Sequence, residues 1–396
     1  MARPPRPGNP AGGYPAREFM VALRHRALPV VRESRTQSEL AERVRPSEPV
    51  GPVHALFQQR VSGDDALLRL ARLRFAQMGV SAELYADTPG QLEGVLRFAP
   101  AQPRLPVVHL NRGISLLQEQ GQAVVRDFAG RFAGRITGLV VHDRRAMGEL
   151  AGEWLAAMRE LDAFLGREAP DVTLFVEYAA GLEPGRFTEM AERLQDAAHV
   201  SVCIDVGHVG IRQACARFAE RHPGLAMGDL GATDARLPGL VADVQDAVGA
   251  AVGDVCEVIR SVGRLGKPVH FHLHDGHPLV PGLADHFSFL TRLPIPFSYQ
   301  GRRSLSTLYG PGGLADIMST AIRACRPRGV SFTIEVHQAE GRLPLGDAAP
   351  LFSHWKDTTN AERMNYWLNV LSENAMLISR SLADLSELIR ARLPAE

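Results

Sequence analysis

The chain has 396 residues, 45% hydrophobic and 22% charged, so a sizeable core is available and wholesale disorder is excluded. Lys+Arg and Asp+Glu each number 44, giving a formal net charge of zero, so no global charge advertises nucleic acid or an anionic membrane as a partner. Cys203, Cys215, Cys256 and Cys325 are widely spaced without a CxxC pair, which reads as buried free thiols rather than a disulfide framework or a thiolate zinc site. No stretch approaches 18 consecutive apolar residues and the N-terminus lacks the apolar core of a secretion signal, so the expected location is cytoplasmic, with no membrane partner.

Residues 1–16 are rich in Pro, Gly and Arg and read as a disordered tail. With the short apolar run at 19–23 and a short helix near 38–44 they make up a partly disordered N-terminal arm, residues 1–49. From residue 50 onward, apolar runs of strand length alternate with longer amphipathic stretches, the mark of βα units and a parallel sheet. The strand-like runs are 52–57, 81–85, 106–110, 137–142, 172–177, 200–205, 268–274 and 330–336. Helices are expected over 64–78, 148–165 and 186–198, each with an apolar stripe opposite charged residues. Eight units in series predict an α/β fold, a (β/α)8 TIM barrel over residues 50–340. Two longer gaps, about 214–267 and 278–326, are assigned to insertions that would shape the mouth. Gly310-Pro311-Gly312-Gly313 reads as a turn before a helix starting at Leu314, with a phosphate-cradling loop as the second reading. Residues 341–396 form a C-terminal loop and helical extension, whose amphipathic segment at 360–390 packs on the domain or makes a homo-oligomer contact.

Nearly every apolar run contains or ends in a polar residue that a strand core would not choose. His54 lies in the first, His109 follows Val107-Val108, and His142 follows Val140-Val141. Glu177 follows Phe175-Val176, Asp205 follows Cys203-Ile204 with His208 three residues on, and Glu335 follows Thr333-Ile334. His270, His272 and His274 alternate through the seventh run, so they share one face, and Asp275 comes next. In a (β/α)8 barrel the C-terminal strand ends meet at one mouth, where the active site sits. Imidazoles and carboxylates converging there are costly unless neutralised, and a divalent cation is the simplest compensation. Histidine and carboxylate without thiolate suit Mn2+ or Zn2+ best, with Co2+, Fe2+ or Mg2+ as further candidates.

The elements Glu177-Tyr178-Ala179-Ala180-Gly181, Asp205-Val206-Gly207-His208, His272-Leu273-His274-Asp275 and Thr333-Ile334-Glu335 resemble those of the xylose isomerase-like TIM-barrel superfamily, which includes sugar isomerases and epimerases and also endonuclease IV. The resemblance covers roughly residues 50–340. It implies that Glu177, Asp205, His272 and Glu335 ligate one catalytic metal. It further implies that His109, His142 and His208, with Asp285 and His286, hold a second or third, although endonuclease IV has one residue between the last Asp and His. His54, His274 and Asp275 are the expected substrate-binding residues. Only His272 has the HxxD spacing to Asp275, which makes it the ligand of the seventh run, with His270 deeper in the barrel.

Two activities follow from the resemblance. The first is isomerisation or epimerisation of a sugar-like hydroxy-carbonyl compound through a metal-stabilised enediolate. Glu177 and Glu335, on opposite sides of the metal, would exchange the proton, and His208 would polarise a substrate oxygen. The alternative is a zinc-dependent phosphodiesterase resembling endonuclease IV and acting on abasic DNA, for which Arg112, Arg144 and Arg145 would contact phosphates. A carbohydrate-like small molecule is the partner expected first, with nucleic acid disfavoured by the balanced charge. A barrel that only binds is disfavoured by the complete Glu/Asp/His/Glu set. Glu177→Gln and Glu335→Gln should each abolish turnover with little loss of fold. An assay of both variants beside their circular dichroism spectra tests the assignment, and wild-type turnover in either would reject it.

Overall fold

The apolar runs are short and β-branched or aromatic, so they extend as strands. Their near-continuous apolarity suits strands buried on both faces. A computed structural model describes residues 53–56, most of 66–97, and 105–335 apart from shorter gaps, the longest being 276–297. Residues 1–52 and 336–396 lie outside the described residues, and with them the N-terminal arm, the C-terminal helical extension and its oligomer contact. The described residues all fall in one compact unit, Pro49–Glu396.

Eight strands build the barrel: β1 Val53–Leu56, β2 Ser81–Ala86, β3 Val107–Leu110, β4 Gly138–His142, β5 Thr173–Tyr178, β6 Val200–Asp205, β7 Val269–Leu273 and β8 Val330–Glu335. Each is parallel to its sequence neighbours, and β1 pairs with both β2 and β8, which closes the sheet. The expected (β/α)8 architecture is therefore the observed one. Register fixes which residues stand side by side on neighbouring strands. His142 lies opposite Glu177, Asp205 opposite His272, and Leu56 opposite Glu335. A strand's side chains alternate between faces, so the polar residues picked out on β3 to β8 all fall on the lumen side.

Helices cover the outside. After β2 comes α1 (Pro89–Leu96), with Thr88 as N-cap accepting from the Gln91 amide and Pro89 at the first position. In α2 (Glu119–Phe132), Val125, Phe128, Ala129 and Phe132 form one buried stripe at helical spacing. The short α3 (Arg145–Glu149) leads into α4 (Ala151–Glu168), and α5 (Pro184–Glu192) follows β5. The helices expected at 148–165 and 186–198 are thus present with shifted ends. Of the one expected at 64–78, positions 66, 69, 72, 73, 76 and 77 are helical.

The first expected insertion proves to be wall rather than mouth loop. Val206–Arg221 forms α6 directly after β6, and Leu237–Gly263 forms the 27-residue α7. On α7 the residues Val244, Val248, Ala251, Val255, Ile259 and Val262 repeat every three or four positions and are buried. α7 packs on α6 and on α8 (Gly310–Cys325). Arg217 pairs with Asp254, and Arg221 reaches Asp243 at 3.3 Å and Asp246 at 3.1 Å, joining α6 to α7 at the surface. The glycine-rich stretch at 310–313 is the first turn of α8, so the helix starts four residues earlier than its apolar pattern indicates. Of the second expected insertion, the described part shows α8 and a two-residue antiparallel pairing of Ser298–Tyr299 with Arg302–Arg303.

The four cysteines are free, with Cys215 half-buried and the others buried. Among the described residues no helix is long and apolar enough to cross a membrane.

Two glycines on α6 let the mouth close. A Cβ at Gly207 would collide with the His274 ring, and one at Gly210 with the Tyr309 hydroxyl. Gly207→Ala should cost about 1–3 kcal/mol as an overpacked site and push His274 from its place. Urea melts of the variant and the wild type check the cost, and equal midpoints would show that the ring moves freely.

Candidate metal centre at the barrel mouth

Strand alternation carries His109, His142, Glu177, Asp205, His272 and Glu335 into the lumen near the C-terminal rim. The potential ligand atoms separate into groups. His109, Glu177, His272 and Glu335 each offer one atom within 4.8 Å of the others, and Asp205, His208 and His274 do the same beside them. Asp205, expected in the first set, belongs by distance to the second, and His109 takes its place. A third group, Cys203 with His270 and His272, lies deeper.

In the first group Glu177 is the centre. Its Oε2 is 3.1 Å from His109 Nε2 and 3.5 Å from His142 Nε2, and its Oε1 is 3.2 Å from His272 Nδ1. Glu335 Oε1 lies 3.0 Å from the same His272 Nδ1. Glu177 and Glu335 thus flank one imidazole nitrogen, His272 Nδ1. In the second group Asp205 Oδ1 is 2.7 Å from His274 Nε2, and Oδ2 is 3.6 Å from His208 Nε2. Asp205 is also the N-cap of α6, taking the His208 amide at 2.8 Å, so the start of the helix fixes both residues.

The far nitrogens of the histidines decide what these contacts mean. A carbonyl oxygen can only accept. His109 Nδ1 must therefore donate to Leu110 O at 3.1 Å, and His274 Nδ1 to Asp275 O at 3.3 Å. In a neutral ring this leaves the Nε2 lone pair of each facing a carboxylate oxygen. Lone pairs at that separation repel unless a proton or a cation lies between them. Ligand atoms at right angles around a cation, each about 2.1 Å from it, are about 3 Å apart, the spacing seen here. The residues present therefore fit divalent cations, with outer-shell acceptors already aligning the rings.

Electrostatics agree. Burial alone would push the Glu177 carboxyl up, but His272, His109 and His142 together hold it well below the usual carboxylate range. Burial likewise opposes charge on His272, yet Cys203, Glu83, Glu335 and Glu177 drive its pKa well above an ordinary imidazole. The Asp205 carboxyl is drawn down against burial by His208 and His274. His142 shows the opposite balance: burial outweighs Glu177 and drops it to about 4, so it is a neutral lone-pair donor at physiological pH.

The remaining expected residues fall elsewhere. His54 is buried on β1 with its ring 5.8 Å from that of His270, at the level of Thr333 and so below Glu335. Its expected role in substrate binding therefore does not match a place at the rim. His274, also expected to bind substrate, is fully buried against Asp205. Asp275 is also buried and its Oδ1 accepts from the Tyr309 amide at 3.2 Å, tying the end of β7 to the start of α8. His208 and His142 keep part of their surface open, with side chains 23% and 19% exposed. Asp285 and His286 lie outside the described residues.

The sequence reading missed several residues. Glu83 on β2 is 1% exposed and holds both His270 and His272. Its signal was present: Ser81-Ala82-Glu83-Leu84-Tyr85 alternates, and an acid in the middle of a buried strand demands a partner. Tyr85, on the same face, stacks on His109 with ring centres 5.9 Å apart. Asp143 follows His142 and accepts from the amides of Ala179, Gly181 and Leu182 at 2.8–2.9 Å, fixing the loop after Glu177.

No family model matches the chain, and no curated protein matches it. Among solved structures the chain is similar to the carboxyl transferase domain of Rhizobium etli pyruvate carboxylase, at 13% identity and a TM-score of 0.38, covering 86% of this chain and 48% of that one. The same domain with oxamate and biotin matches at 13% identity and a TM-score of 0.40 over 85% and 48%. The complete multifunctional enzyme matches at 14% and 0.39 over 85% and 28%. The chain thus spans about half the length of the carboxyl transferase domains that it matches. These superpositions are too loose to bear on activity.

If the two groups hold separate cations, Asp205→Asn should remove one and leave the other. His109→Ala should weaken the other by more than about tenfold, since losing a ligand costs at least as much as losing an outer-shell partner. Equilibrium dialysis of both variants against Mn2+ and Zn2+ reads this out. Loss of all metal in Asp205→Asn would mean that the groups act as one site.

Proposed function

We propose that the chain is a divalent-metal-dependent hydrolase of phosphoesters, with cations held by His109, Glu177, His272 and Glu335 and by Asp205, His208 and His274. One observation carries this reading: both oxygens of Glu177 are committed to imidazoles on three strands, at 3.1, 3.5 and 3.2 Å. A carboxylate so engaged is placed to serve as a cation ligand among imidazoles and poorly placed to shuttle a proton to carbon. Bound there, the cations would supply Lewis acidity, activating a water molecule and offsetting charge on a phosphoryl oxygen.

The chain's own groups do the rest. His208, half open at the start of α6, is placed to donate to a substrate oxygen. Arg144 donates to the Arg112 carbonyl, and Arg112 lies close enough to His142 to lower its pKa, so a guanidinium stands near the rim for an anionic group. The zero net charge favours a small phosphoester over a DNA duplex as substrate. Buried His109, His272 and His274 exclude bulk water from the floor of the site, which strengthens each interaction there.

Isomerisation of a sugar-like substrate is the second reading. It is favoured by the partial exposure of His208, which suits polarising a hydroxyl or carbonyl, and by the proximity of Glu335 to Asp205. It requires Glu177 to leave its imidazole partners during each turnover.

Elemental mass spectrometry of the purified chain should find about two divalent ions per chain, with hydrolysis of bis-p-nitrophenyl phosphate lost on chelation and restored by Mn2+ or Zn2+. One ion per chain, no phosphodiester cleavage, and solvent-deuterium exchange into a keto-sugar would replace this reading with the isomerase.

A further inference from the structure

Below the rim the lumen divides into unlike halves. On β3 to β6 it is filled by Val107, Val140, Phe175 and Cys203, a small buried apolar cluster. On the side of β7, β8, β1 and β2 it holds His270, Thr333, Ser331, His54 and Glu83. Barrel interiors are ordinarily packed with branched aliphatic residues, so a buried acid with this company needs a reason.

Glu83 is the hub of the polar half. Its Oε2 accepts from His270 Nε2 at 3.0 Å and from the Thr333 hydroxyl, and its Oε1 accepts from His272 Nε2 at 3.1 Å. His270 is held in turn by Ser331 Oγ, 2.6 Å from its Nδ1. The carboxylate is thus held by two partners before it meets His272. Glu83, His270 and Thr333 are each 1% exposed or less. The His272 ring links this network to the rim, its other nitrogen, Nδ1, sitting between Glu177 and Glu335.

We propose that Glu83 is a positioning residue that fixes the Nε2–H tautomer and the ring plane of His272, so that the Nδ1 lone pair faces the cation between Glu177 and Glu335. Histidine ligands commonly donate their second N–H to a carboxylate that orients the ring, and such partners are worth about 10- to 100-fold in metal affinity. Thr333 and His270 serve Glu83 as Glu83 serves His272: they saturate Oε2 and leave Oε1 for the ligand. A purely packing role would need volume and neutrality, which Leu or Met supplies at lower desolvation cost. The inference rests on the metal-dependent reading above but not on the choice of hydrolysis or isomerisation.

The test compares wild type with Glu83→Gln, which keeps volume but offers one acceptor oxygen to two imidazole donors. Zn2+ and Mn2+ are titrated against a chelating dye, with melting temperature and circular dichroism as controls for folding. The expected result is a folded variant whose tighter binding phase weakens about 10- to 100-fold, while the phase due to Asp205, His208 and His274 stays unchanged. Affinity within twofold of wild type would overturn the proposal and leave the metal centre intact. Wild type that takes up neither ion would overturn both. Should Glu83→Gln not fold, 15N-histidine NMR of the Zn2+-loaded wild type decides instead. Metal on His272 Nδ1 with a proton on Nε2 supports the assignment, and metal on Nε2 rejects it.

Discussion

Everything at the mouth depends on keeping a set of carboxylates out of water. Glu83, Glu177, Asp205 and Glu335 are each 1% exposed or less. Isolated burial of one ionised carboxylate costs several kcal/mol or more, so four on one lumen would unfold a domain whose net stability is about 5–15 kcal/mol. The fold meets this with imidazoles. Each acid touches at least one histidine: Glu177 meets His109, His142 and His272, Asp205 meets His208 and His274, and Glu83 meets His270 and His272. His272 touches three and is the point where the rim and the polar half of the lumen join.

Imidazole is the fitting partner because its two nitrogens are independently addressable. One takes a fixed acceptor, Leu110 O, Asp275 O or Glu83, and the other is left aimed at the site. An arginine would neutralise the same acids permanently and exclude a cation. Histidine neutralises by protonation when empty and yields a lone pair when a cation competes. The same residues therefore hold the barrel together and form a candidate binding centre.

The outer layer makes that centre rigid. Asp205 caps α6, Gly207 and Gly210 give His274 and Tyr309 room against its first turns, and Tyr309 returns an amide to Asp275. Asp143 pins three amides after Glu177. α7 clamps α6 and α8 with a continuous apolar stripe. The ligand-bearing strand ends thus have a fixed exit on the outside, so small displacements of the helices would be felt at the rim.

How far the sequence reached follows from what is local. Eight apolar runs, their spacing and the polar residue at the end of each are local facts, and they determined the barrel and the placing of His109, His142, Glu177, Asp205, His272 and Glu335 on one lumen face. Alternation within a strand decides facing, and closure of the sheet decides that all C-terminal ends meet. Local pattern did not say who stands next to whom. That Asp205 joins His208 and His274, while His109 joins Glu177, depends on register and on side-chain reach across the lumen. Glu83 became meaningful only when β2 and β7 were brought face to face across the barrel, since its partners lie 187 and 189 residues away in the chain. The helical nature of 237–263 was legible in its apolar spacing, but spacing between strands alone made it look like a loop. Local propensity and periodicity are properties of a segment. The charge balance of a buried site is a property of many segments, and only the folded chain decides it.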